Sequence, residues 1–111
     1  MVKLDATVAT MAMKHFVLIY EFSPDFLSRR LAFRAEHLAL ARASAARGEL
    51  QLGGRLEDEP TGLVLFKAES AALVEQFAQS DPYVINGVVQ SYRIREWTTV
   101  VGRDAMNKPA P

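Results

Sequence analysis

An α+β fold with the element order β-α-β-β-α-β is predicted by three observations. The run Phe16-Val17-Leu18-Ile19-Tyr20 is continuously apolar, β-branched and aromatic, as a buried strand requires. Two stretches of helical periodicity follow Ser23-Pro24 and Glu69-Ser70, and each leads into strand-like residues. Between them, the turn cluster Glu57-Asp58-Glu59-Pro60-Thr61-Gly62 separates two short strands and makes a hairpin. This is the ferredoxin-like split βαβ arrangement: a four-stranded antiparallel sheet with two helices on one face.

Each element has its own signal. Ser23 is placed as an N-cap and Pro24 suits the first helical position. Leu27, Leu31, Leu38, Ala41 and Ala45 recur at helical spacing, so one helix is expected to run to about Arg47, with Gly48 just past its end. Leu50 to Leu56 reads as a strand interrupted by Gly53-Gly54, and Leu63 to Phe66 as its partner. The second helix carries Ala72, Leu73, Phe77 and Ala78 and stops before Asp81-Pro82, because a proline disfavours helical geometry in the preceding residue. Pro82 to Val88 reads as a short turn or helical stub, and Val89 to Val101 as the last strand.

On the first strand, Phe16, Leu18 and Tyr20 are assigned to one face, and Val17, Ile19 and Phe22 to the other. With both faces apolar, the helix-free face needs a cover, and a second copy of the sheet supplies it. A homodimer of α+β barrel form is therefore expected. Residues 1–13 read as a loose N-terminal arm, because Met13-Lys14-His15 would make a natural chain start. Residues 14–101 form the domain, and 102–111 a flexible or loosely docked C-terminal tail.

Composition narrows the function classes. Thirteen Lys and Arg balance 13 Asp and Glu, so no basic excess draws nucleic acid or anionic lipid. Cysteine is absent, which removes disulfides, thiolate nucleophiles and cysteine metal sites. With neither a signal peptide nor an apolar run long enough for a membrane span, a cytoplasmic location is expected.

The segments Lys14-His15-Phe16-Val17-Leu18-Ile19-Tyr20, Arg34-Ala35-Glu36-His37-Leu38, Leu52-Gly53-Gly54, Asp81-Pro82-Tyr83-Val84, Gly87-Val88 and Ile94-Arg95-Glu96-Trp97 together resemble the YciI-like (YCII-related) family of small α+β barrel proteins. The resemblance spans about residues 14–100 in the correct order. It implies the ferredoxin-like fold, dimers, and a pocket around a histidine and an aspartate, positions matched here by His37 and Asp81. Where family members often have Gly-Pro in the hairpin, this chain has Gly54-Arg55, which brings a charge to a pocket wall. The fold is also similar to that of muconolactone-isomerase-like proteins, which implies small hydroxylated or ring-derived acids as substrates.

The residues themselves leave two readings open at each position. His37 lies roughly 80° from the centre of the helical stripe, at its edge. A packing or surface role would explain it, and so would a proton carrier, since imidazole exchanges protons near neutral pH. Asp81 before Pro82 can shape a turn, or it can hold one ring nitrogen of His37 and fix the tautomer. Tyr83 lines the pocket or packs behind the turn. Arg30 and Arg34 share the helix edge with His37, where both can pair with Asp25, Glu36 or Glu57 at the surface or hold a substrate carboxylate; the surface pairing is favoured for Arg30, and Arg34 is kept as the candidate for an anionic substrate group. Gly54 and Arg55 are assigned to the pocket wall. His15 is read as incidental. A Ser-based hydrolase, a metal site and a phosphate loop all lack their motifs, so the reading includes no metal and no cofactor.

The leading expectation is a small cofactor-free enzyme for proton transfer, isomerisation or elimination on a small carbonyl or hydroxy acid, with His37 as acid or base and Asp81 as its orienter. The alternatives are a non-catalytic ligand-binding or regulatory dimer using the same pocket, and an interaction module with no ligand.

Overall fold

The computed structural model describes residues 13–111. The arm expected over residues 1–13 therefore lies, apart from Met13, outside the described residues. Nine elements follow in order. They are β1 (Lys14–Phe22), α1 (Phe26–Arg29), a 3₁₀ turn (Arg30–Ala32), α2 (Arg34–Ala46), β2 (Leu50–Arg55), β3 (Thr61–Ala68), α3 (Ala71–Ser80), α4 (Pro82–Ile85) and β4 (Val89–Trp97). The strands form one antiparallel sheet in the order β2-β3-β1-β4, with the helices packed on one face. This is the ferredoxin-like α+β arrangement.

The core lies between the sheet and the helices. Phe16, Leu18 and Tyr20 of β1 meet Val64, Phe66 and Ala68 of β3 and Val74, Phe77 and Ala78 of α3. Alternation along the strands puts these residues on one face, and each fully buried large side chain contributes about 1.5–3 kcal/mol. Phe22 joins this face, contrary to its sequence assignment. It stands two residues beyond Tyr20, and its ring stacks on Phe26 with centroids 4.6 Å apart. A Cβ on Gly62 would come within 2.9 Å of the far end of the Phe22 ring, so a larger residue there would force that ring to move.

The first helical region is not one helix. Its ladder breaks at Phe33, whose φ of −120° and ψ of 0° separate the 3₁₀ turn from α2. Leu27 and Leu31 consequently point to solvent, at 53% and 71% exposure. Ser23 caps nothing: Asp25 precedes α1, and the buried Ser23 hydroxyl has no partner among the described residues. Gly48 does end α2, with a φ of +81° that non-glycine residues rarely adopt. The irregularity in β2 falls between Leu50 and Leu52 rather than at the glycine pair. The last strand ends at Trp97, four residues earlier than its alternation implied.

Residues beyond β4 fold back. The Asn107 N–H donates to the Thr99 carbonyl at 2.8 Å, and the Met106 N–H to the Thr99 hydroxyl at 2.9 Å. That hydroxyl lies 2.7 Å from Nδ1 of His15, which is buried. Thr99 can donate to Nδ1 only while Nδ1 carries no proton. Burial pushes the His15 imidazole below its usual 6.5, and Lys67 adds to this, while Asp104 opposes it. The unfolded chain then binds this proton more readily than the folded one. His15 accordingly costs nothing above pH 6.5 and removes stability as the pH falls below it. The thermal midpoint should fall between pH 7 and 5, and His15→Gln should flatten that part of the curve. An identical slope in the variant would free His15 of this role.

The helix-free face carries Val17, Leu52, Leu63, Leu65 and Trp97 around a shallow groove. Leu52 is 72% and Trp97 51% exposed. No helix among the described residues is long and apolar enough to cross a membrane.

Candidate functional site

Ser70 caps α3 by accepting from the Ala72 N–H at 3.3 Å. Pro82 then stops α3 at Asp81, whose extended backbone (φ −74°, ψ 121°) starts α4 with Pro82 in its first turn. The Asp81 side chain caps α4, its Oδ1 accepting from the Tyr83 N–H at 2.9 Å. Its Oδ2 accepts from the Tyr20 hydroxyl of β1 at 2.7 Å. The carboxylate has no solvent exposure. Tyr20 stays protonated as its donor, because burial and then the Asp81 charge push the phenol far above its usual range.

His37 stands on the first turn of α2. Its Nδ1 lies 2.9 Å from Oδ1 and 3.0 Å from Oδ2 of Asp81. Its ring stacks on Tyr83, with centroids 3.8 Å apart and planes 8° from parallel. The turn-forming and histidine-holding roles of Asp81 thus coincide in one carboxylate. An ionised carboxylate only accepts, so in the neutral ring Nδ1 carries the hydrogen and Nε2 keeps a free lone pair.

His37 forms part of the wall of a cavity of about 360 Å³ between α2, the sheet and β2. Tyr20, Phe22, Val64 and Phe77 supply apolar surface, and Tyr83 stands beside His37. Gly54 also borders the cavity. A Cβ there would meet nothing within 4 Å, so its bareness leaves the space open rather than relieving a clash. Arg30, Arg34, Arg42 and Arg55 are all in the wall, and no Asp or Glu is. Register pairs Arg55 with Gly62. Arg55 sits 4.0 Å from Glu57, a pair too exposed to hold it strongly.

The surface pairing expected for Arg30 is absent among the described residues. Its Nε is buried without a hydrogen-bond partner. Arg34 and Arg42 likewise lack an ion-pair partner among the described residues. Burial raises the Tyr83 phenol above its usual range, and the nearby Arg34 and Arg30 charges pull against that rise. Among the described residues no group completes a hydrogen bond to the buried Tyr83 hydroxyl by distance and angle, although Arg34 stands near enough to favour its ionised form. Sequence reasoning missed three site residues: Tyr20, read only as core; Arg30, assigned to the surface; and Arg42. The spacing of Arg34, Leu38 and Arg42 was a usable signal, because residues four apart share a helix face. Among the described residues no group of three or more His, Cys, Asp or Glu is placed to hold a metal ion.

Sheet, helices and a lined cavity with a buried carboxylate behind a histidine define a class of small α+β proteins. Residues 13–98 match the YCII-related domain, and the chain belongs to that family. A similar solved structure is 5-chloro-2-hydroxyhydroquinone dehydrochlorinase (TftG) from Burkholderia phenoliruptrix AC1100 in complex with 2,5-dihydroxybenzoquinone. It is 22% identical, with a TM-score of 0.64 over 77% of this chain and 94% of that one. At that identity the likeness speaks for the fold. Among curated proteins, none matches.

Proposed function

We propose that the protein is a small enzyme that moves a proton on a hydroxylated ring or carbonyl compound, in an elimination or isomerisation. The observation that carries this is the grip of buried Asp81 on Nδ1 of His37 inside an open cavity. That grip presents Nε2 as a base of fixed direction. In an elimination, Nε2 takes the substrate proton while the leaving group departs with its bonding electrons. In an isomerisation, the imidazolium returns the proton to another carbon. Asp81 balances the charge that appears on the ring, and Arg34 holds an anionic group of the substrate. Tyr83 supports the imidazole face, and Gly54 and Arg55 shape the opposite wall.

The named activity of the similar dehydrochlorinase makes elimination the first reaction to try. Purified protein incubated with 5-chloro-2-hydroxyhydroquinone should release chloride faster than buffer does. Solvent deuterium exchange into hydroxylated carbonyl compounds covers the isomerisation route. Binding without either reaction would remove catalysis and leave a ligand-binding protein.

The same reading takes the protein as a homodimer joined through the helix-free sheet face, since Leu52, Leu63 and Trp97 there are exposed and apolar. Sedimentation should give twice the chain mass at micromolar concentration, and Leu63→Asp should give the monomer. A monomeric parent chain would end this proposal. The cysteine-free composition supports work in the reducing cytoplasm.

A further inference from the structure

Nothing in the wall of the cavity offsets its arginines. Glu57 reaches only Arg55, across 4.0 Å, and Asp81 behind His37 is occupied by Tyr20, Tyr83 and His37. A single anchoring arginine would serve a substrate with one charge. This wall holds three arginines on the α1–α2 side with no ion pair among the described residues, and they repel one another until anions arrive. They also fall into two groups. Arg34 precedes His37 by three residues on α2, and Arg30 lies one turn further back in the same wall, which puts both at the His37 end. Arg42 stands eight residues beyond Arg34 on the same helix, about 12 Å along the axis at 1.5 Å per residue.

We infer that the cavity takes a substrate with two anionic groups, one held by Arg30 and Arg34 beside His37 and the other by Arg42 two turns along α2. Guanidinium groups suit this task because they stay charged and bind carboxylates through two parallel hydrogen bonds. The apolar surface of Phe22 and Val64 would face the carbon skeleton between the charges. The inference rests on the proposed function only in taking this cavity as the ligand's place.

Adipate and hexanoate test it, since they share a chain length and differ in the number of carboxylates. Titration calorimetry of the full chain at low salt should give adipate a dissociation constant at least about tenfold below that of hexanoate, a gap that narrows as salt screens the charges. Arg42→Gln should bring adipate to the hexanoate level, weakening adipate far more than hexanoate. Arg34→Gln should weaken both. Equal affinity for the two acids, an adipate affinity indifferent to Arg42→Gln, or no binding of either would overturn the inference. His37→Gln should keep the adipate preference, because it removes the base and leaves the cations. A protein that prefers adipate but catalyses nothing therefore loses the proposed reaction and keeps the two-anion site. Chloride release without adipate preference has the reverse meaning.

Discussion

His37→Gln should lower the rate of chloride release by roughly 10²- to 10⁴-fold, the range a positioned acid or base contributes. Gln has no nitrogen lone pair to accept a proton, but its amide can still donate to Asp81. The imidazole ring also stacks on Tyr83 over 3.8 Å, and that contact is lost. His37 retains 18% side-chain exposure, so the loss of packing should cost about 1 kcal/mol or less. Rate and stability are thereby separated. A fall in kcat with little change in KM is the expected split, because a base acts at the transition state more than in binding. Imidazole added to a His37→Gly chain should restore part of the rate by occupying the vacated space. A variant as fast as the parent would move the chemistry elsewhere in the cavity.

Much of the fold was legible in the sequence because local rules and tertiary packing agree there. Ser70, Gly48 and Asp81-Pro82 mark helix ends through chemistry that acts within a few residues. The break at Phe33 had no such mark, since neither proline nor glycine stands there. A leucine stripe that runs through Phe33 would bury Leu27 and Leu31, and both are exposed. His37 and Asp81 were visible as residue types at an edge and a turn. Tyr20 was hidden because an aromatic in an apolar run reads as core, and it is core; its hydroxyl acquires a partner only through a strand-to-helix contact 61 residues apart. Arg30 and Arg42 were hidden for the opposite reason. A charged residue on a helix is ordinarily solvated, and only the arrival of β2 and the sheet turns that face into a cavity wall. His15 reads as incidental from its place before the first strand, and its partner Thr99, 84 residues away, lies beyond the reach of any local pattern.

Asp81→Ala should destabilise the fold by roughly 2–5 kcal/mol, a large share of the stability of a domain this size. Three groups lose their acceptor at once. The Tyr20 hydroxyl is left in the core, where an unpaired polar group costs about 1–3 kcal/mol. The Tyr83 N–H loses its cap, worth about 1 kcal/mol, and the Pro82–Ile85 helix loses its anchor. The His37 ring loses the contact that orients it. Asp81→Asn isolates the last effect. Its amide is similar in shape, and its oxygen can still accept from the Tyr83 N–H. Its NH₂ group is then directed at Tyr20, whose hydroxyl can accept instead, and at Nδ1 of His37. That donor stands where Oδ2 lay 3.0 Å from Nδ1 and competes with the remaining oxygen at 2.9 Å, so it weakens the hold on the Nδ1 hydrogen and shifts the ring toward the Nε2–H tautomer, which has no lone pair on the cavity side. Nitrogen-15 NMR at a pH where the ring is neutral should show the Nδ1–H tautomer in the parent and a shift toward Nε2–H in Asp81→Asn. The denaturation midpoint should fall much less for Asn than for Ala, while chloride release falls in both. Equal stability loss in the two variants, with an unaltered tautomer in Asp81→Asn, would leave Asp81 as a turn residue and detach it from the chemistry of His37.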